Sequence, residues 1–425
     1  MDVKYLKQKF LAREVLLADL PVKIIITFGI IIRVIAYISL PNQPSRLAPD
    51  EGTYANLVGW IFSGQSAQDF PDYGEGLFDS ARLLILPSLG LSHLGVSSLS
   101  SVRLVSLVFS ILNILLFYHL MKSILSGSKQ KSLVRIVLVI YVSMPSHLIW
   151  GLLGLRESLT EFGLMLTFYF LRKIFLNQTI SYSNYFLLVL GLFATYNVRP
   201  QLGLVLSTVV FISILFKFWQ SKIIILALLF FPIANFFASS VPLGLPQSIT
   251  TTSEQYSSSP EELAAFFEDK RTGNQLFANS KIESLECDAE LERFSSLKCE
   301  VGRLPLAVLQ VTFRPLIFLD SGSLTQNLAS IENLIWIFLY AFIFLTSKEL
   351  LARKSFDFDL PATALLLLFA IGAGLYEGNL GTAFRHKGIT LPFLLLIFVS
   401  RFSCLDFTRL AKLKLIFKKF RVNGD

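Results

Sequence analysis

Charge is the first thing this chain is short of. Only 16% of its 425 residues are Asp, Glu, Lys or Arg, where a soluble domain carries about 25%. Together with 53% hydrophobic residues and 39 Phe, that deficit excludes a soluble globule and a disordered chain. Cysteine is scarce as well, and three are too few for a disulfide scaffold. His93, His119 and His147 are scattered and no His/Cys ligand spacing occurs, so no zinc-type site is expected. No repeat of solenoid type is visible. What remains is a net charge of +8, and its location decides its meaning.

Long apolar runs are abundant. A membrane helix needs about 20 mostly apolar residues. About ten stretches qualify, near 22–40, 101–121, 134–151, 155–172, 184–198, 201–217, 223–241, 331–347, 360–376 and 388–404. The stretch 82–96 contains Pro87 and His93 and reads as an interfacial or re-entrant helix, with a full span as the second reading. Residues 1–20 read as a basic amphipathic helix on the cytoplasmic surface, with no cleavable signal. With the N-terminus inside, Lys and Arg gather in the inner segments and Asp and Glu in the outer ones. That is the positive-inside pattern. The basic balance therefore reports topology and contact with anionic lipid, above all in the cytoplasmic tail 405–425 with Lys412, Lys414, Lys418, Lys419 and Arg421. A nucleic-acid partner is not expected.

The predicted fold class is an all-α integral membrane protein. It is one polytopic domain over 1–425, with both termini cytoplasmic and two elaborated outer loops containing interfacial helices, 41–100 and 241–330. Within the second, 260–300 is charged and helical in pattern. Outer loops on a rigid bundle are where sites are expected. Cys287 and Cys299 share that loop, either as a disulfide or as two independent thiols. The sequon at Asn177 falls on the inner side.

The sharpest feature is Asp50–Glu51 in RLAPDEGTYANLVGW, about ten residues after the first span. Pro49 places both carboxylates in the first turn of an interfacial helix, where the helix dipole favours negative charge. A plain helix cap is the simpler reading of either residue. Arg33 inside the preceding span and Tyr54 after the pair argue for more.

With these residues the chain resembles the GT-C superfamily of membrane glycosyltransferases, in the branch of protein O-mannosyltransferases and bacterial aminoarabinose transferases. That branch has a first span with an embedded Arg, then an outer Asp-Glu and a Tyr; here these are Arg33, Asp50, Glu51 and Tyr54. Gly95 and Arg103 at the second span, Pro145 in the third and Glu157 opening the fourth continue the likeness over roughly 22–220. The branch's His-Pro-Pro is replaced by DSARLLILPSLG, which marks a divergent member.

The resemblance implies an inverting transfer of a sugar from a polyprenyl-phosphate donor to a glycan, lipid or protein acceptor on the outer face. Such a reaction needs a carboxylate to take the acceptor proton and positive groups at the departing phosphate. Asp50 is the expected base, Glu51 orients it or the acceptor, and Glu157 is a third carboxylate approaching the same cavity from the fourth span. Arg199, Arg314 and Arg385 are the phosphate candidates, with His386 beside the last; snorkelling is the alternative reading of each Arg. Arg156 next to Glu157 reads equally as a salt bridge capping the fourth span. Close carboxylates can also hold a divalent cation, Mg²⁺ or Mn²⁺. Two other classes stay open: a Wzy-like polysaccharide polymerase or ligase, and a non-enzymatic transporter of lipid-linked sugar. The absence of a retention signal and of outer sequons leans to a bacterial plasma membrane.

Overall fold

A computed structural model of the chain describes residues 20–45, 48–70, 74–125, 131–176, 182–218, 293–317, 320, 324–347, 358–377 and 379–403. The described residues are helical and include no strand. The first half holds α1 (Leu20–Ser39), α2 (Pro49–Phe62), a 3₁₀ turn (Ala67–Asp69), α3 (Gly74–His93), α4 (Ser98–Ile124), α5 (Lys131–Ser143), α6 (Pro145–Trp150), α7 (Glu157–Leu176), α8 (Tyr182–Val198) and α9 (Pro200–Phe218). The second holds α10 (Arg293–Phe313), α11 (Leu324–Leu345), α12 (Asp359–Tyr376), α13 (Leu380–Gly388) and α14 (Leu391–Ser403).

Leu20–Ser39, Ser98–Ile124, Pro200–Lys217 and Gln326–Leu345 are long and apolar enough to cross a membrane. Leu380–Gly388 and Leu391–Ser403 qualify together as a pair bent by 52°. Of the other expected spans, 223–241 lies outside the described residues, α5 and α12 carry shorter apolar stretches, and α7 and α8 are not among the helices long and apolar enough to cross; α10, from the second expected outer loop, also carries a shorter apolar stretch. Helix α1 turns Ile24, Phe28, Ile31 and Ile35 outward, an apolar surface that suits lipid rather than water. The basic N-terminal segment, the tail 405–425, Cys287, Cys404 and Asn177 lie outside the described residues, as does the side chain of Cys299.

Local sequence explains the breaks. The expected third span splits at Met144, which is extended, because Pro145 disfavours helical backbone in the residue before it and opens α6 instead. Pro87, by contrast, sits within an unbroken α3, so 82–93 of that stretch belongs to one helix from Gly74 to His93. That helix ends where Gly95 takes a positive φ of 89° and its N–H returns to Ser92 O. Ser97 then caps α4, its Oγ accepting from the N–H of Ser100.

Two apolar clusters hold the bundle. The larger runs through Phe117, Tyr141, Phe168, Trp336 and Phe393. The smaller, with Tyr54, Leu57, Leu84, Val102 and Leu159, pins α2 and α3 onto one end of α4 and α7. Helices α7 and α8 approach closely because Gly163 faces Thr195 and Gly191 faces Thr167, the small-residue contact typical of membrane bundles. This packing sets the start of α7 beside the first turn of α2.

Candidate active site

At that end of the bundle, four charged side chains from distant parts of the chain form one chain of contacts. Arg385 Nη2 on α13 donates to Asp50 Oδ2 at 2.9 Å. Its Nε lies 3.1 Å from Glu157 Oε1, an ion-pair distance without hydrogen-bond alignment, since Nε has no hydrogen-bond partner. Arg199 Nη2, between α8 and α9, donates to the same Glu157 oxygen at 2.7 Å. His386 Nε2 is 3.9 Å from it. The Asp50 side chain is 48% exposed and Glu157 7%, so the row runs from solvent into the bundle.

Each position has a local cause. Pro49 and the start of α2 leave Asp50 on the exposed edge of the first turn. Asn379 caps α13, its side chain accepting from Gly381 N–H at 2.8 Å, and that starts the turn carrying Arg385 and His386 inward. Lys387, next in sequence, is buried and anchors the turn from behind. Its Nζ donates to Asn333 Oδ1 at 2.6 Å, Thr312 O at 3.1 Å and Arg314 O at 3.3 Å. The two backbone carbonyls lie at the end of α10 and just past it, so one side chain satisfies groups the helix leaves unpaired, while Asn333 belongs to α11.

Glu51 has a different place from the one its motif suggests. It is fully buried and faces away from Asp50, paired with Arg103: Nε to Oε1 at 2.7 Å and Nη2 to Oε2 at 2.9 Å. The N–H groups of Ser45 and Gly154 also donate to it, at 2.7 and 3.2 Å, and Arg103 continues to Pro41 O and Gln43 O. All its acceptor capacity goes to holding the 41–51 connection onto α4 and onto the link between α6 and α7. The expectation that Glu51 orients the base or the acceptor is therefore corrected: its carboxylate is taken up by Arg103 and two backbone N–H groups.

Arg314 is likewise engaged elsewhere. It pairs with Asp320, whose carboxylate also accepts from Leu316 N–H at 2.8 Å. Burial acts against the Asp320 charge, but the Arg314 and backbone hydrogen bonds outweigh it and hold that carboxyl below its ordinary range. Arg33 is buried in the bundle, donating to Ser110 Oγ at 2.9 Å, Gly29 O at 3.0 Å and Val142 O at 3.3 Å. It ties α1 to α4 and α5 and touches neither Asp50 nor Glu51. Arg156 donates to Ser80 O and Val198 O instead of pairing with Glu157. It lies 5.6 Å over the Tyr54 ring. Burial raises the Tyr54 hydroxyl above its ordinary range, with Arg156 acting the other way, so Tyr54 is a neutral aromatic wall.

Below the row lies a narrow cleft lined by Ser146, Trp150, Ser158 and Glu161 besides Glu157 and Arg385. At its floor Tyr141 donates to Glu161 Oε1 at 2.5 Å, and His147 Nε2 stands 3.1 Å from Oε2. Sequence reasoning gave His147 no role and did not single out Glu161. The signal was there, because Glu161 lies four positions after Glu157 and so on the same helix face. Among the described residues no three His, Cys, Asp or Glu side chains are grouped to hold a metal ion. The two site carboxylates converge on the Arg385 guanidinium, which occupies the position a cation would need, so Mg²⁺ or Mn²⁺ does not fit this arrangement. No family model, curated protein or solved structure matches the chain.

Proposed function

We propose that the protein is an inverting glycosyltransferase of GT-C type, taking a sugar from a polyprenyl-phosphate donor to a hydroxyl or amine acceptor on the outer face of the membrane. The observation that carries this reading is the convergence of Arg385 and Arg199 on Glu157 with Asp50 at the solvent edge. Fork-shaped guanidinium groups suit phosphate oxygens, and buried positive charge beside a departing phosphate stabilises the charge that develops there. Asp50 keeps one edge open to an acceptor and is the carboxylate placed to take its proton. The phosphate would compete with the carboxylates for both arginines, so its arrival releases Asp50 for that task.

In this reading the chain is a bundle of about ten spans with both termini inside, in a bacterial plasma membrane. The acceptor approaches over α2, and the donor's lipid lies among the apolar helices. The test uses the full chain in nanodiscs with a polyprenyl-phosphate hexose, measuring release of polyprenyl phosphate and transfer to added acceptors. Binding of the lipid phosphate that is lost in Arg385→Ala, with turnover lost in Asp50→Asn, is the expected result. Absence of any binding to the wild type would sink the reading.

A further inference from the structure

Glu377 has no part in the row just described, yet its surroundings are unusual. It is buried at the end of α12. Its Oε2 has no hydrogen-bond partner, and its Oε1 lies 2.5 Å from His386 Nδ1. Among the described residues no Lys or Arg pairs with it. A buried carboxylate needs a cation or several donors to remain charged, and here the imidazole is what the fold offers. The contact also orients the ring. With Nδ1 committed to Glu377, Nε2 points to the reaction side, toward Glu157. A carboxylate behind a histidine selects the tautomer and stabilises the imidazolium.

We propose that Glu377 and His386 form an acid dyad: His386 Nε2–H protonates the departing lipid-phosphate oxygen, and Glu377 is the positioning residue that holds the ring for it. This rests on the glycosyltransferase reading above. As the acceptor oxygen bonds to the sugar's C1, its proton passes to Asp50. The C1–O bond to phosphate breaks, its electron pair goes to the phosphate oxygen, and that oxygen takes the proton of His386. Asp50 is left protonated and His386 neutral. Asp50 returns its proton to solvent at its half-exposed edge, and His386 takes one up again with the next donor, so the two protons balance.

The groups facing the ring make the donor itself the trigger. Arg385 and Arg199 share the Glu157 oxygen that His386 Nε2 faces, and Glu377 holds the other side of the ring. Lys387 points away, to Thr312 and Asn333. A bound phosphate diester adds a negative charge next to the ring, which favours the imidazolium. The acid is then loaded as the donor arrives.

The test uses full-length protein in nanodiscs and a prenyl methyl phosphodiester. The probe's single charge does not titrate near neutral pH, so any linkage belongs to the protein. The expected affinity falls as pH rises, approaching about tenfold per unit, because one proton is taken up on binding. Nitrogen-15 NMR of histidine-labelled protein should show His386 protonated on both nitrogens in the complex, and on Nδ1 when empty. Glu377→Gln should flatten the pH slope and lower the imidazolium fraction, and His386→Gln should abolish the slope while leaving binding measurable. A pH-independent affinity, or an empty-state proton on Nε2 alone, overturns the dyad and leaves the glycosyltransferase reading standing. No binding of the diester to the wild type overturns both.

Discussion

Arg385 Nη2 donates to Asp50 Oδ2 at 2.9 Å across a separation of 335 positions. The two residues come from α2 and α13, near opposite ends of the described residues. Their contact brings the acidic motif and the basic segment into one site.

Replacing Arg385 by Lys keeps the charge and removes the fork. Charged hydrogen bonds contribute about 1.5–3 kcal/mol, so polyprenyl-phosphate affinity should fall about ten- to a hundredfold. Arg314→Lys should leave that affinity unchanged, because Arg314 serves Asp320. Lipid-phosphate titration of both variants in nanodiscs checks this, and equal losses would return Arg314 to the site.

Adjacent carboxylates should fail in different ways. Asp50→Asn should lower turnover by at least about 100-fold, the low end of a general-base contribution, with thermal stability near wild type. Glu51→Gln leaves buried Arg103 without its counter-charge, a change that costs about 3–5 kcal/mol in comparable buried pairs. Its main effect should be a lower melting temperature and lower yield. A stable Glu51→Gln with turnover abolished would reinstate Glu51 as a reacting group.

The α7–α8 contact sets the position of Glu157 and Arg199 together. A Cβ at Gly191 would meet Thr167 Oγ1 at 2.5 Å and its backbone N at 2.8 Å. Backbone cannot yield as a side-chain tip can, so Gly191→Val should destabilise by about 1–3 kcal/mol through overpacking. Gly90→Ala, with open space around it, should leave the melting temperature close to wild type. Thermal unfolding of the two variants compares them directly.

Topology has its own test. A Cys placed at exposed position 69, or at 262 in the second loop, should react with an impermeant reagent in intact cells. Reaction only after lysis would put the charge cluster on the wrong side for an outer acceptor and remove the proposed reaction.

The residue types of the site were legible in the sequence for a physical reason. Charged side chains are costly at membrane depth, so in so apolar a chain each one asks for a partner or a task. That reasoning reached Asp50, Glu157, Arg199, Arg385 and His386, and the structure gathers all five. It could not separate Asp50 from Glu51. Neighbours on a helix point about 100° apart, and nothing local says which direction faces the cavity. Only the docking of α2 against α4 decided it, by giving Glu51 to Arg103. The same holds for Arg199 against Arg314, both followed by Pro: one meets Glu157 and the other Asp320. Glu377 and His386 show the limit from another side. They lie nine positions apart across a helix break, and their contact depends on how α13 turns back, with Lys387 buried behind it. Composition and apolar runs determined by themselves that the chain is helical and suited to a membrane, because lipid demands both of any backbone that crosses it. Which charges became structural ties and which came to line a site was decided by packing, since pairings over hundreds of positions exist only once the helices are in contact.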